Sequence, residues 1–209
     1  MSTETLPKPE IEFTDYDLDQ FNIELEQMDP IERIAWARQR FGDGLIATTA
    51  FGLTSPLMLK FISEVDPGIQ VVTVRMGHET DKTKTLAKWY EGVFDLNLAV
   101  HGDHIQVVHD AEALRARKVE LFQREVVDRY QPEAVLFGVM RDQTVEREAM
   151  SYIERRGSFL AINPVLDVTA QEVDDFFKLS GYPKNMNYSD PTKGPDQKME
   201  CGIHLTRFS

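Results

Sequence analysis

Short apolar runs alternate with amphipathic stretches of helical length through the middle of the chain, and that alternation constrains the fold more than any other feature. Residues 45–49, 70–74, 96–100, 134–139 and 159–162 read as strands. Residues 55–65, 79–93 and 111–129 read as helices between them. Strand–helix–strand repetition with helices of this length predicts an α/β fold: a doubly wound, mainly parallel sheet covered on both faces. In such sheets ligands sit beyond the carboxyl ends of the strands. That rule selects four turns, at residues 48–55, 75–80, 101–104 and 139–147.

The flanks read differently. Pro7 and Pro9 make residues 1–18 a loose, acidic leader. Asp29-Pro30 opens a helix over 31–41, which Gly42 and Gly44 end. Thr169-Ala170-Gln171-Glu172 is a capping box, and its helix runs to about residue 179, with Gly181 as the stop. Beyond Tyr182 the chain is rich in Gly, Pro and Asn and reads as an irregular, flexible tail. The expected organisation is therefore a leader (1–18), one α/β nucleotide-binding-type domain (19–182) and a C-terminal tail (183–209).

Composition narrows the function. The one cysteine among 209 residues rules out an internal disulfide and an all-cysteine metal or iron–sulfur site. No apolar run approaches the ~20 residues of a membrane span, and residues 1–10 hold no signal-peptide core, so a cytoplasmic protein is expected. The net charge of −12 argues against nucleic acid as a partner. That charge is concentrated: residues 1–32 carry ten acids against Lys8, leaving 25 acids and 22 bases in the remainder. The body of the protein is nearly neutral and can still recruit an anion through local cations.

Three segments could carry chemistry. Thr48-Thr49-Ala50-Phe51-Gly52-Leu53-Thr54-Ser55 joins a strand to a helix, and its hydroxyls and amides suit an anion cradle. The same residues also suit an ordinary turn capped by Thr54 or Ser55. Arg141-Asp142-Gln143-Thr144, followed by Arg147, places two guanidinium forks around a turn, either for sulfate and phosphate oxygens or for internal ion pairs with Asp142, Glu146 and Glu148. Lys198-Met199-Glu200-Cys201-Gly202-Ile203-His204 puts the only cysteine in a polar tail segment. Lys198 and His204 there favour thiolate, the reactive form, and Gly202 permits positive φ beside it. A stray surface thiol is the alternative. His101, His104 and His109 lack partners at zinc spacing and read as satisfied histidines. Trp36 and Trp89 read as core. Arg115, Arg117 and Lys118 read as a solvated face or as a reach toward an anionic ligand.

Taken in order, these segments resemble the phosphoadenosine phosphosulfate (PAPS) reductases, which have the adenine-nucleotide alpha-hydrolase-like (PP-loop-like) fold. Glu200-Cys201-Gly202-Ile203-His204 is similar to the family's Glu-Cys-Gly-Leu/Ile-His signature near the C-terminus. Thr48 to Gly52 resembles its Ser-Ser-Ser-Phe-Gly nucleotide loop. Gly138-Val139-Met140-Arg141-Asp142-Gln143-Thr144-x-x-Arg147 resembles Gly-x-x-Arg-x-Gln-Ser-x-x-Arg. The stretch from Leu25 to Ala37 resembles the entry helix. The second-strand loop departs from the family's Asp-Thr-Gly…Pro-Glu-Thr: here it is Arg75-Met76-Gly77-His78-Glu79-Thr80. Thr54 stands where glutamine is common, and Met199 where a basic residue is usual.

The resemblance implies an oxidoreductase of sulfate assimilation. Cys201 attacks the sulfonate of PAPS, adenosine 3′,5′-bisphosphate leaves, and thioredoxin or glutaredoxin releases sulfite from an S-sulfocysteine. It implies catalytic roles for Cys201, His204 and Lys198. Substrate contacts fall to Thr48, Thr49, Phe51, Gly52, Thr54, Ser55, Arg75, Gly77, Gly138, Arg141, Gln143, Thr144 and Arg147. A homodimer with no bound cofactor is implied too. The related adenosine phosphosulfate (APS) reductases carry paired cysteines for a [4Fe–4S] centre; one cysteine therefore favours the cluster-free, PAPS-using branch. The alternatives are an ATP-pyrophosphatase or adenylyltransferase of the same fold, which would need a Ser-Gly-Gly-x-Asp-Ser loop, and a non-catalytic nucleotide-binding homologue.

Overall fold

The computed structural model describes residues 13–102, 110–186, 188–193 and 201–208. Six strands form one sheet in the order β3-β2-β1-β4-β6-β5. They are β1 (Leu45–Thr48), β2 (Gln70–Val74), β3 (Leu98–His101), β4 (Ala134–Leu136), β5 (Ile153–Arg155) and β6 (Leu160–Ile162). All neighbours pair in parallel except β5 with β6. Helices α3 (Ser55–Val65), α4 (Asp81–Val93) and α5 (Ala111–Phe122) make the crossovers between parallel strands. β1 and β4 sit at the centre, and Ile46, Ala47, Val135 and Leu136 are buried on both faces, which is why these strands lack polar alternation.

The expected elements are found with boundaries moved by a few residues, and four readings need correction. Residues 1–18 are not a leader throughout, because helix α1 (Asp15–Glu26) begins inside it. Thr14 and Asp17 form a capping box there, and Leu18, Phe21 and Leu25 turn one face to the core. α1 also covers the sheet edge: the Asn22 amide donates to Ile153 O at 2.9 Å and accepts from Ile153 N at 3.0 Å. That three-residue edge strand, β5, was invisible to a pattern search because Glu154 and Arg155 interrupt it. Third, helix 111–129 is not uniform; after Phe122 it passes through a π turn (Gln123–Val127) into a short α6 (Asp128–Tyr130). Finally, Trp89 is 39% exposed, whereas Trp36 is core as expected.

Helix α2 (Pro30–Phe41) is tied to the domain by Arg33, which is 1% exposed. Its guanidinium forks onto Asp167 at 2.5 and 2.8 Å, donates to Leu25 O and Pro164 O, and lies 4.2 Å over the Tyr152 ring. Two further helices complete the fold, α7 (Val145–Glu148) after β4 and α8 (Ala170–Ser180), whose Thr169 capping box and left-handed Gly181 cap match the sequence reading. Among the described residues, no helix is long and apolar enough to cross a membrane.

Candidate active site

A cavity of about 380 Å³ opens beyond the carboxyl ends of β1 and β4. Its first wall is the β1–α3 turn. Phe51 adopts φ +51° there, with its ring buried and its amide donating to Thr49 Oγ1 at 3.1 Å. The Gly52 amide donates to Ser55 Oγ at 3.0 Å, so the loop's own hydroxyls fix its shape. Asn185 seals the back by donating to Phe51 O at 2.9 Å. A side chain at Gly52 would crowd the Tyr188 ring, since a Cβ would approach it to 3.3 Å.

The second wall follows β4. Gly138 passes close to Met58, and the chain then turns through residues 141–143 into α7. Arg147 is 2% exposed and donates to Gln143 Oε1, presenting a buried guanidinium along the cavity.

The third wall is built from α5 and the tail. Lys118 reaches in from α5, and Tyr188, Asp190, Lys193, Cys201, Ile203 and His204 come from the tail. Lys118 Nζ lies 2.6 Å from Asp190 Oδ2. Asp190 Oδ1 accepts from the Thr192 hydroxyl at 2.5 Å and the Thr192 amide at 3.0 Å. Burial alone would raise the Asp190 carboxyl, but Lys118 and Thr192 bring it down to about 2. Burial works against the Lys118 ammonium, and Cys201 and Asp190 together hold it protonated.

Cys201 is 4% exposed and packs with the main core cluster, so it is not the open tail thiol the sequence suggested. Burial would raise its pKa. The Lys118 charge, followed by the charge and hydrogen bond of His204, overcomes this and brings the thiol down to about 6, with Asp190 opposing. Gly202 sits at φ +94°, where a Cβ would also come within 3.1 Å of Val119. The His204 ring stands edge-on to Phe137, 5.2 Å between centroids. A buried thiol held toward thiolate by a cation, facing a cavity that Arg147 and Lys193 also line, can attack an electrophile that carries negative charge.

The structure brings Thr48, Thr49, Gly52, Thr54, Ser55, Gly138, Gln143, Arg147, Cys201 and His204 to this one cavity. Phe51 and Arg75 line a smaller recess of about 30 Å³ behind Lys118, Tyr188 and Asp190. Gly77 lies in the loop before α4, where its amide donates to Glu79. Arg141 turns away onto the Tyr152 ring, 5.1 Å from its centroid, so the two arginines of that turn do not flank one group. Thr144 precedes α7 as its N-cap. Lys198, His104 and His109 lie outside the described residues. His101 bonds Tyr130 Oη at 2.8 Å.

Tyr188 and Asp190 also line the cavity, and sequence reasoning singled out neither. Of the two readings open for Lys118, the solvated face is overturned: it shares a helical face with buried Leu114, Leu121 and Phe122 and reaches into the cavity wall. Asp190 had no such signal, because its partner lies 72 residues away.

The chain matches the phosphoadenosine phosphosulfate reductase domain over residues 44–189, more than half of its length. It belongs to the PAPS reductase family. The match stops short of Cys201, and the Lys118–Asp190 pair is one of the contacts that tie the segment beyond it to the matched domain. Among its relatives, a phosphoadenosine 5′-phosphosulfate reductase of a Synechocystis species is 27% identical, covering 92% of each chain. One of a Synechococcus species is 28% identical, covering 90% of this chain and 97% of its own. The crystal structure of PAPS reductase from Candida auris in a phosphate complex superposes with TM-score 0.70 at 23% identity, over 86% of this chain and 95% of that one. FMN adenylyltransferase of Candida glabrata with ATP shares the fold more distantly, with TM-score 0.58 at 11% identity over 78% of this chain and 57% of that one. Among the described residues, no cluster of His, Cys, Asp and Glu could hold a metal ion.

Proposed function

We propose that this PAPS reductase family member converts PAPS to sulfite and adenosine 3′,5′-bisphosphate. The observation that carries the reading is Cys201 in the cavity wall, held toward thiolate by Lys118 and His204. Its sulfur attacks the sulfonate sulfur; the bond from that sulfur to the phosphate oxygen breaks, and the bisphosphate leaves with the electron pair. Lys118, Lys193 and Arg147 line the space in which that charge develops. The β1–α3 turn, with Thr48, Thr49, Gly52, Thr54 and Ser55, faces the nucleotide beside Gly138 and Gln143. Phe51, Arg75, Gly77, Arg141 and Thr144 shape the loops around it; a role for Lys198, which lies outside the described residues, rests on the sequence alone.

S-sulfocysteine remains on Cys201. A dithiol protein, thioredoxin or glutaredoxin, then attacks the Cys201 sulfur. Sulfite departs with the electron pair of the S–S bond and leaves a mixed disulfide between donor and Cys201; the donor's second thiol breaks it, closing the donor's own disulfide and returning Cys201 as thiolate. With a single cysteine in the chain, no internal thiol can perform that step. The reading includes a cytoplasmic homodimer without a bound cofactor, in which α1 joins the domain that ends near residue 182 and a tail over 183–209 brings in the cysteine. Sulfite production from PAPS and from APS, with thioredoxin and with wild type beside Cys201→Ser, tests it. Sulfite from PAPS that disappears in the variant supports the reading. Tight bisphosphate binding without sulfite would point to a non-catalytic homologue, and ATP turnover indifferent to Cys201→Ser to an adenylyltransferase-type enzyme.

A further inference from the structure

Phe208 is docked onto the domain. Phe208 N donates to Arg156 O at 3.1 Å and Phe208 O accepts from Ser158 N at 3.0 Å, a parallel bridge onto the turn between β5 and β6. The Phe208 ring is 3% exposed and packs 4.9 Å from Phe122 and 5.8 Å from Phe159. Phe137 extends the same cluster at 6.0 Å from Phe122 and carries the His204 ring on its edge. The docking needs Gly157, where a Cβ would fall 1.5 Å from Phe208 O.

Between this anchor and Cys201 the chain is short and internally tied. A single 3₁₀ turn (Ile203–Leu205) follows Gly202, and the Thr206 hydroxyl closes it by donating to Gly202 O at 2.7 Å. Where Phe208 sits therefore governs where Cys201 and His204 sit. The groups facing Cys201 are Lys118 from α5, Tyr188 and Asp190 from the preceding segment, and His204 from its own turn.

We propose that Phe208 is a positioning residue: its docking against the β5–β6 turn and the Phe122–Phe159 cluster holds Cys201 against Lys118 for attack on the substrate. The proposal rests on Cys201 being the nucleophile. It also sets the two half-reactions against each other. A docked tail serves sulfonate transfer and buries the sulfur, whereas an external dithiol requires the sulfur to come out, so the anchor must release between them.

Phe208→Ala removes the anchor from the tail side. Gly157→Ala blocks its seat from the domain side and leaves the tail intact. Phe208→Leu restores an apolar plug. Each is assayed for the pH profile of Cys201 alkylation by iodoacetamide, for single-turnover adduct formation with PAPS, and for reduction of the preformed adduct by dithiothreitol. Thermal melts establish that each variant is folded. We expect the alkylation inflection to move up in Phe208→Ala and Gly157→Ala, adduct formation to slow by roughly tenfold or more, adduct reduction not to slow, and Phe208→Leu to recover most of the loss. A variant that melts earlier but keeps the wild-type inflection and adduct rate overturns the proposal, because Phe208 would then only stabilise. If wild type forms no adduct while the inflection still shifts, the assignment of Cys201 as nucleophile fails and the anchor stands.

Discussion

Lys118 Nζ lies 2.6 Å from the Asp190 carboxylate, and the two bury each other at the wall that Cys201 shares. This contact joins α5 to the tail and gives Lys118 a fixed place from which to act on the thiol. Without a cation there, a cysteine this buried would titrate above the ordinary thiol range.

Lys118→Met should therefore raise the Cys201 pKa from about 6 to beyond that of a free thiol, losing most thiolate at neutral pH. It also strands the Asp190 carboxylate, at a stability cost of about 3 kcal/mol or more. Iodoacetamide alkylation against pH reads the first effect and urea unfolding the second. A wild-type alkylation profile in the variant would show that Lys118 does not act on the sulfur.

The Cys201 shift also makes stability depend on pH. The thiol is depressed to about 6 in the folded chain from an ordinary value of 9.0. Between those limits the unfolded chain binds the extra proton, so stability rises with pH through that window. The contribution is fully present above the unfolded value and lost as pH falls through the folded one, a span of a few kcal/mol. Subtracting the urea stability of Cys201→Ser from that of wild type at each pH isolates it. A flat difference from pH 6 to 9 would contradict the shift.

Gly202→Ala should separate folding from reactivity. A side chain at φ +94° is strained and presses on Val119, costing about 1–3 kcal/mol. The thermal melt should fall modestly, and iodoacetamide alkylation of Cys201 at neutral pH should slow because the sulfur moves off Lys118. Unchanged alkylation would mean that the backbone beside Cys201 has slack.

Arg33→Ala should destabilise the domain by about 3–5 kcal/mol, since it removes a buried guanidinium that bonds Leu25 O, Pro164 O and Asp167. Arg33→Lys should recover only part, because an ammonium cannot reproduce the fork. Urea midpoints of the three proteins check the order.

The centre of the sheet was legible because β1 and β4 are buried on both faces and read as unbroken apolar runs between amphipathic helices; 70–74 and 55–65 were found to the residue. Local elements without that contrast were missed. α1 is capped by Thr14 and Asp17, but its apolar face is thin, and β5 owes its place to Asn22, 131 residues away. At the site, the loop residues and Cys201 were legible from local pattern. Lys118 was legible only as one of two alternatives, and Asp190 not at all, because a pair formed by tertiary contact leaves no spacing to read. The burial of Cys201 was misread for the same reason: Phe208 and Ile203, the apolar residues that carry the tail into the core, stand apart in an otherwise polar segment.

The central claim is that Cys201 accepts the sulfonate. Intact-mass analysis after incubation with PAPS and no reductant measures this directly. The account predicts one added sulfonate per chain, located on Cys201, absent in Cys201→Ser and removed by thioredoxin with release of sulfite. Consumption of PAPS by wild type with no adduct on Cys201, or an undiminished rate in Cys201→Ser, would contradict it.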